Sequence, residues 1–294
     1  MVKKPRSAST VILARQHGGE LQVYLLKRSP RSGFFPGTYV FPGGEVDPED
    51  RIVNLWIQHL DMELEEISRR FGGGITEQEA IARGVTAIRE TFEEAGVLLC
   101  SLNTPRRGSL EGICTRLMDR GLPRGWLREL VVTEGWTLEF SRLARWAHWI
   151  TPELMPRRYE TRFFLACMPS DQECVPDTHE TTYGVWISPE QGLVGNLRGE
   201  IPLSPPTLIT LQELLHYPDV EDLKREIKSR SWGDAMLPRM ISSPQGSVII
   251  EPWDPLYDQE TEINSKALEN ATLPVGEPFS RLWFHEGIWK PVQI

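Results

Sequence analysis

Three glutamates, Glu90, Glu93 and Glu94, fall at i, i+3 and i+4 in the segment Arg89-Glu90-Thr91-Phe92-Glu93-Glu94-Ala95-Gly96-Val97, and no other feature constrains this chain as tightly. The residues before it predict a helix: Thr76-x-x-Glu79 has the form of a capping box, Ala80, Ile81, Val85, Ile88 and Phe92 make an apolar stripe, and Gly96 supplies a stop. Glutamates at this spacing share a helix face and repel one another. They also stand at the C-terminal end, where the helix dipole disfavours negative charge. Taken alone, glutamates on a helix are more often a solvated face than a metal site. Their unfavourable placement argues for a hard divalent cation, because magnesium takes oxygen ligands and can bridge carboxylates to phosphates while keeping waters. Arg89, four residues before Glu93, can pair with it and fix its orientation.

Upstream, Ser9–Ala14 and Leu21–Leu26 read as a β-hairpin, and Thr38–Phe41 as a short strand that stops at Pro42-Gly43-Gly44, where the backbone can come close to a partner. Val53, Trp56, Ile57, Leu60, Leu64, Ile67 and Phe71 recur at helical spacing, so one amphipathic helix is expected over Val53–Phe71, ended by Gly72-Gly73-Gly74. Downstream, a helix is expected over Cys114–Leu130 and strands over Ala144–Ile150, Thr161–Met168 and Thr182–Ile187. Helices over Leu208–Leu215 and Val220–Ile227, a short strand at Ser247–Ile250 and an irregular polar stretch over Asp254–Gly276 complete the chain. Strands interleaved with helices imply an α/β sandwich followed by an extension beginning near Gly192.

Phe41-Pro42-Gly43-Gly44-Glu45, followed by Arg89-Glu90-x-x-Glu93-Glu94-x-Gly96-Val97, resembles the Nudix box, G-x5-E-x7-R-E-U-x-E-E-x-G-U with U aliphatic. Gly44, Arg89, Glu90, Glu93, Glu94, Gly96 and Val97 match, and Thr91 stands at an aliphatic position. Gly44 and Arg89 lie 45 positions apart, 31 more than the pattern has, so an insertion at about 51–75 splits the motif. The family's middle glutamate has two competing matches: counting from Gly44 reaches Asp50, and counting back from Arg89 reaches Ile81. A split box, with Arg28-Ser29-Pro30-Arg31-Ser32-Gly33 ahead of it and Trp149-Ile150-Thr151-Pro152 and Arg157–Phe164 behind it, resembles the acyl-coenzyme A diphosphatase branch of the family.

The resemblance implies a Nudix-type α/β/α sandwich with a mixed sheet over residues 1–192, a helical insertion inside the box, and a mostly helical C-terminal extension over 193–294 packed on it. It implies a metal-dependent hydrolase acting on the diphosphate of coenzyme A or an acyl-coenzyme A. Mg2+ is the expected cofactor, with Mn2+ as the alternative, held by Glu90, Glu93 and Glu94 and oriented by Arg89. Family members recruit a further carboxylate from outside the helix, and here Glu180 is the first candidate and Glu160 the second. Arg28, Arg31, Arg157 and Arg158 could make forked bonds to the substrate phosphates, with Gly43 and Gly44 beside them. Each arginine taken singly is more often surface charge. Phe34, Phe35 and Tyr39 could stack on adenine or flank the pantetheine arm, although aromatics are ordinarily buried. The extension is compatible with covering an acyl groove or with a homodimer surface.

The formal net charge of −9 argues against nucleic acid as a partner. Four cysteines without a C-x-x-C pair read as reduced thiols. No apolar run reaches transmembrane length, and the final Pro291-Val292-Gln293-Ile294 is not a peroxisomal tripeptide, so a cytoplasmic protein free of the membrane is expected. Two other readings stand beside the first. One is a Nudix pyrophosphatase for ADP-ribose, a nucleotide sugar or a dinucleoside polyphosphate, and the other a non-catalytic binding module of the same fold.

Overall fold

In the computed structural model, which describes residues 3–102, 112, 122–176, 181–243, 246–259, 268 and 271–293, the first hairpin is longer than its apolar runs. β1 (Arg6–His17) and β2 (Glu20–Arg28) are joined by Gly18 and Gly19, both at positive φ, the two-residue turn whose twist suits a hairpin. β3 (Tyr39–Val40) pairs with β2, and β4 (Gly43–Glu45) pairs with β1. Leaving β4, the chain forms α1 (Val53–Trp56), a single 3-10 turn, α2 (Leu64–Phe71) and then α3 (Glu77–Ala95).

The expected continuous helix over Val53–Phe71 is therefore broken. Leu60 is extended, bridges Leu138, and is followed by Asp61, whose N–H donates to Leu138 O and whose carboxylate accepts from Ser141 N at 3.1 Å. Tertiary pairing outweighs helical periodicity at this point, while Trp56, Ile67 and Phe71 still bury against the core. α3 begins and ends as its sequence predicts. Thr76 Oγ1 accepts from Glu79 N, and Gly96 takes the left-handed conformation at φ 70° and donates to Phe92 O.

β5 (Cys100–Leu102) pairs with β6 (Trp136–Leu138), with α4 (Trp126–Glu134) between them. The part of the expected Cys114–Leu130 helix before Leu122 lies outside the described residues. β7 (Ala144–Ile150), β8 (Tyr159–Cys167) and β9 (Thr181–Ile187) complete a seven-stranded mixed sheet with the path β3-β2-β1-β8-β7, to which β4 and β9 add at β1 and β2. β1 and β8 run parallel, and the other pairs are antiparallel.

Alternation along β1 sorts two cores. Val11 and Leu13 face α3, packing with Ile81, Val85, Ile88 and Phe92, whereas Ile12 and Ala14 face the opposite side. That other side is covered by α5 (Pro189–Leu197), α6 (Pro205–Leu214) and α7 (Val220–Ser229), which contribute Leu193, Leu208, Leu211, Leu214 and Leu223. The result is the expected α/β/α sandwich.

Residue 192 falls inside α5, so no break in secondary structure marks the start of the extension. The extension is helical only to Ser229. Beyond it, β10 (Arg239–Ser243), β11 (Gly246–Ile250), β12 (Arg281–His285) and β13 (Ile288–Val292) form a four-stranded antiparallel sheet. Ile249, Leu282 and Trp289 from its inner face join the core beneath the helices. No helix among the described residues is long and apolar enough to cross a membrane.

Candidate active site

Backbone pairing closes the split motif. Because β4 is antiparallel to β1, with Ser9 opposite Gly44, and packs on α3, the two ends of the insertion are brought side by side. Gly44 lets the Glu90 carboxylate lie against the backbone, since a Cβ here would displace it. The neighbouring Gly43 N–H donates to Glu94 Oε2 at 2.8 Å.

Arg89 is the hub of the site, and all five of its N–H donors are used. Nε donates to Asp50 Oδ1 at 3.0 Å, and Nη2 donates to Asp50 Oδ2 at 2.8 Å and to Glu45 O at 3.0 Å. Nη1 donates to Glu90 Oε1 at 2.7 Å and to Glu93 Oε2 at 2.8 Å. Asp50 also accepts from Thr86 Oγ1 at 2.7 Å and from Asp47 N at 3.0 Å. Of the two competing matches for the middle carboxylate, Asp50 is therefore the one that meets Arg89, whereas Ile81 is buried in the core beneath α3.

The glutamates do not all point one way. Glu90 and Glu94 line a pocket of about 260 Å3 together with Arg28, Gly43, Gly44 and Arg157. Glu93 turns toward a separate cleft, where Trp126 Nε1 on α4 donates to its Oε1 at 2.6 Å. Among the described residues no three His, Cys, Asp or Glu side chains converge at metal-ligand spacing. The electrostatics nevertheless suit a cation. Burial pushes the Glu90 carboxyl well above the usual range, with Glu94 and Glu93 adding to the shift and Arg89 opposing it. Burial also raises Glu93 against the pull of Arg89 and Trp126. Three carboxylates, those of Asp50, Glu90 and Glu93, contact one guanidinium, with Glu94 held beside them by the Gly43 N–H, and a hard divalent ion is the group whose chemistry relieves that excess.

The other expected site residues divide. Arg28 lines the pocket, its Nε donating to Ser32 Oγ at 3.2 Å, and Arg157 lines it from the segment before β8. Arg31 is exposed and outside the pocket lining. Arg158 is buried and spends Nε on Thr151 O at 3.1 Å and Nη1 on Lys3 O at 2.8 Å, so it holds the chain N-terminal to β1 rather than facing the pocket. Glu160, the second candidate base, is engaged by His148 Nε2 at 3.1 Å and by Arg83 Nη2 at 3.3 Å. Glu180 lies outside the described residues, but Thr181 directly after it is the register partner of Arg28. Phe34 borders the pocket with its ring 5.2 Å from that of Tyr159, whereas Tyr39 is buried.

One contributor went unread in the sequence and another was left between two matches. Trp126 had no local signal, since it reaches Glu93 from 33 residues later. Asp50 did have one, its count from Gly44, and only the closure of β4 on β1 could select it.

Comparison with known proteins agrees with this geometry. A family model described as the NUDT19 Nudix domain matches residues 70–214. The chain is 29% identical over 307 residues to the human protein named acyl-coenzyme A diphosphatase NUDT19, covering 89% of this chain and 80% of that protein. To the Xenopus laevis protein of the same name it is 26% identical over 286 residues, covering 84% and 74%. Among solved structures, a Nudix hydrolase from Alicyclobacillus acidocaldarius superposes with a TM-score of 0.60 at 24% identity, covering 80% of this chain and all of that one, which shows the shared fold.

Proposed function

We infer that this chain, a Nudix hydrolase of the acyl-coenzyme A diphosphatase branch, cleaves the diphosphate of coenzyme A or an acyl-coenzyme A to 3′,5′-ADP and (acyl-)4′-phosphopantetheine. The observation that carries the reading is the excess of buried carboxylate around Arg89 beside a pocket that also holds Arg28 and Arg157. Enzymes of this family use a divalent cation, and we assign Mg2+ here, with Glu90 and Glu94 holding it from the pocket wall and Glu93 completing the charge. When bound, such an ion neutralises phosphate oxygens and lowers the pKa of water.

The chain's own groups do the positioning. Arg28 and Arg157, which line the same pocket as Glu90 and Glu94, present forked donors to the diphosphate, which orients the phosphorus to be attacked. Arg89 holds Glu90 and Glu93, and the Gly43 N–H holds Glu94, so the carboxylates are set before substrate arrives. Glu180 is assigned as the base that accepts the proton of the attacking water, the part that a carboxylate from outside the helix plays in members of this family.

The test is incubation with Mg2+ and, separately, coenzyme A, acyl-coenzyme A, ADP-ribose, a nucleotide sugar and a dinucleoside polyphosphate, with products separated by chromatography. Release of 3′,5′-ADP from the coenzyme A compounds is expected. Turnover of ADP-ribose with coenzyme A left intact would overturn the substrate assignment, and no turnover of any of them would leave a binding module.

A further inference from the structure

A second cavity, of about 120 Å3, opens off the acidic pocket and shares Thr10, Arg28, Phe34, Gly43, Tyr159 and Thr161 with it. The catalytic sheet closes one side with Trp149 and Phe163. The other side belongs to the C-terminal extension: Ser204 and Pro205 at the start of α6, Met240 on β10, Ile249 on β11 and Trp289 on β13. Two observations define what could occupy it. The walls are mostly apolar, and the volume approaches that of the roughly 150 Å3 apolar cavities that take up benzene, so a compact branched or ring-sized group fits. Trp149 is only 4% exposed, yet its indole N–H has no hydrogen-bond partner. Buried indole donors are normally paired, and a ligand carbonyl would satisfy this one once the ring, which lines the cavity, turns its N–H toward it.

We propose that this cavity seats the branched, diphosphate-proximal end of the substrate's pantetheine arm, its dimethyl carbon against Met240, Ile249 and Trp289 and the first amide carbonyl accepting from Trp149 Nε1. The proposal rests on the coenzyme A reading of the acidic pocket. The arm is bonded directly to the diphosphate, as a cavity that abuts the diphosphate pocket requires, and it joins apolar carbon to amides. A plain acyl tail would be separated from the diphosphate by the whole arm and offers no amide to an unpaired donor. The four-stranded sheet of the extension thereby becomes a specificity element, because three of its strands form the wall that the substrate's arm meets.

The two products report on the two halves of the site and can be titrated separately by calorimetry on the full chain with Mg2+. The wild-type chain should bind both. Met240→Trp fills the cavity and should weaken 4′-phosphopantetheine about tenfold or more while leaving 3′,5′-ADP unchanged. Trp149→Phe keeps the ring and removes only the N–H, so it guards against a misfolded first variant, and it should weaken the same ligand about three- to tenfold. Loss of 3′,5′-ADP affinity with 4′-phosphopantetheine unaffected would put the adenosine half in the cavity and overturn the proposal. Unchanged affinity for both products in both variants would overturn it as well. In each of those cases the diphosphatase reading stands, whereas a wild-type chain that binds neither product takes both readings down.

Discussion

Arg83 and Arg89 lie six residues apart on α3 and are both largely buried, with 1% and 11% of their side chains exposed, yet their surroundings are electrostatic opposites. Arg83 meets Glu79 at 3.1 Å and Glu160 at 3.3 Å, and donates to the backbone oxygens of Ala8 and Glu160 at 3.1 and 2.8 Å. Its carboxylates have further partners: Glu79 also pairs with Arg51, and Glu160 meets His148. Although burial opposes it, the bonds from Arg51 and Arg83 hold Glu79 below its ordinary pKa, and His148 and Arg83 bring Glu160 down to about 2. Around Arg89 the count runs the other way, and Glu90 and Glu93 are raised. The first cluster is closed ionic structure that ties α3 to β1 and β8. The second carries negative charge that folding alone gives no reason to keep, and that surplus is where function is to be sought.

The sharpest way to break this contrast is to neutralise one carboxylate in each cluster. Glu90→Gln should lower turnover by about 10²- to 10⁴-fold, the several kcal/mol a bound cation supplies. In chelator its unfolding free energy should be unchanged or higher, because an amide replaces a crowded buried charge. Glu160→Gln should do the reverse, costing about 1–2 kcal/mol of stability after allowance for partial exposure and leaving turnover within a few-fold. Urea unfolding and product release measured on both variants decide it. If Glu160→Gln abolished turnover with stability intact, the two clusters would have been assigned the wrong way round.

Acidification without divalent cation reads the same contrast in one protein. Glu90 and Glu93 have raised folded-state values, so between that range and the unfolded value near 4.3 the native state binds more protons, and stability should rise as pH falls. Glu160 is depressed to about 2, so its contribution is present above the unfolded value and is lost as pH falls from about 5 toward 2. The urea midpoint plotted against pH should therefore rise and then fall on the acid side. Glu90→Gln should flatten the rising limb alone, and Glu160→Gln the falling limb alone. A midpoint that declined steadily from pH 7 would contradict the raised values around Arg89.

The same division marks what could be read from the sequence. The limits of α3, its glutamates and its caps follow from local signals, and the structure keeps them, because Thr76 and Gly96 satisfy backbone groups within the helix itself. What could not be read depends on distant closure. Asp50 joins Arg89 only once β4 pairs with β1 across the insertion, and Leu60 leaves the helix only because Leu138 is there to pair with it. The β12–β13 hairpin hid for a different reason. Its turn is Glu286-Gly287 with both residues at positive φ, a geometry in which Asn or Asp would have announced the first position and Glu does not. Pro291, inside β13, further disguised a strand.

Thr86 stands three residues from each arginine and gives the smallest, most discriminating perturbation. It is fully buried, and its hydroxyl lies 2.7 Å from Asp50 Oδ2 and 2.9 Å from Ala82 O, so it supports the second cluster without belonging to the pocket. Thr86→Val keeps the shape and removes one donor, leaving Asp50 with Arg89 and Asp47 N. The expected loss is about 1 kcal/mol of unfolding free energy, because the carboxylate keeps most of its bonds. Turnover should fall no more than a few-fold, because Arg89 still fixes Glu90 and Glu93 at 2.7 and 2.8 Å. A tenfold loss of kcat with unchanged stability would mean that Asp50 acts on the chemistry itself, and the boundary between the closed cluster and the reactive one would then move one turn toward Arg83.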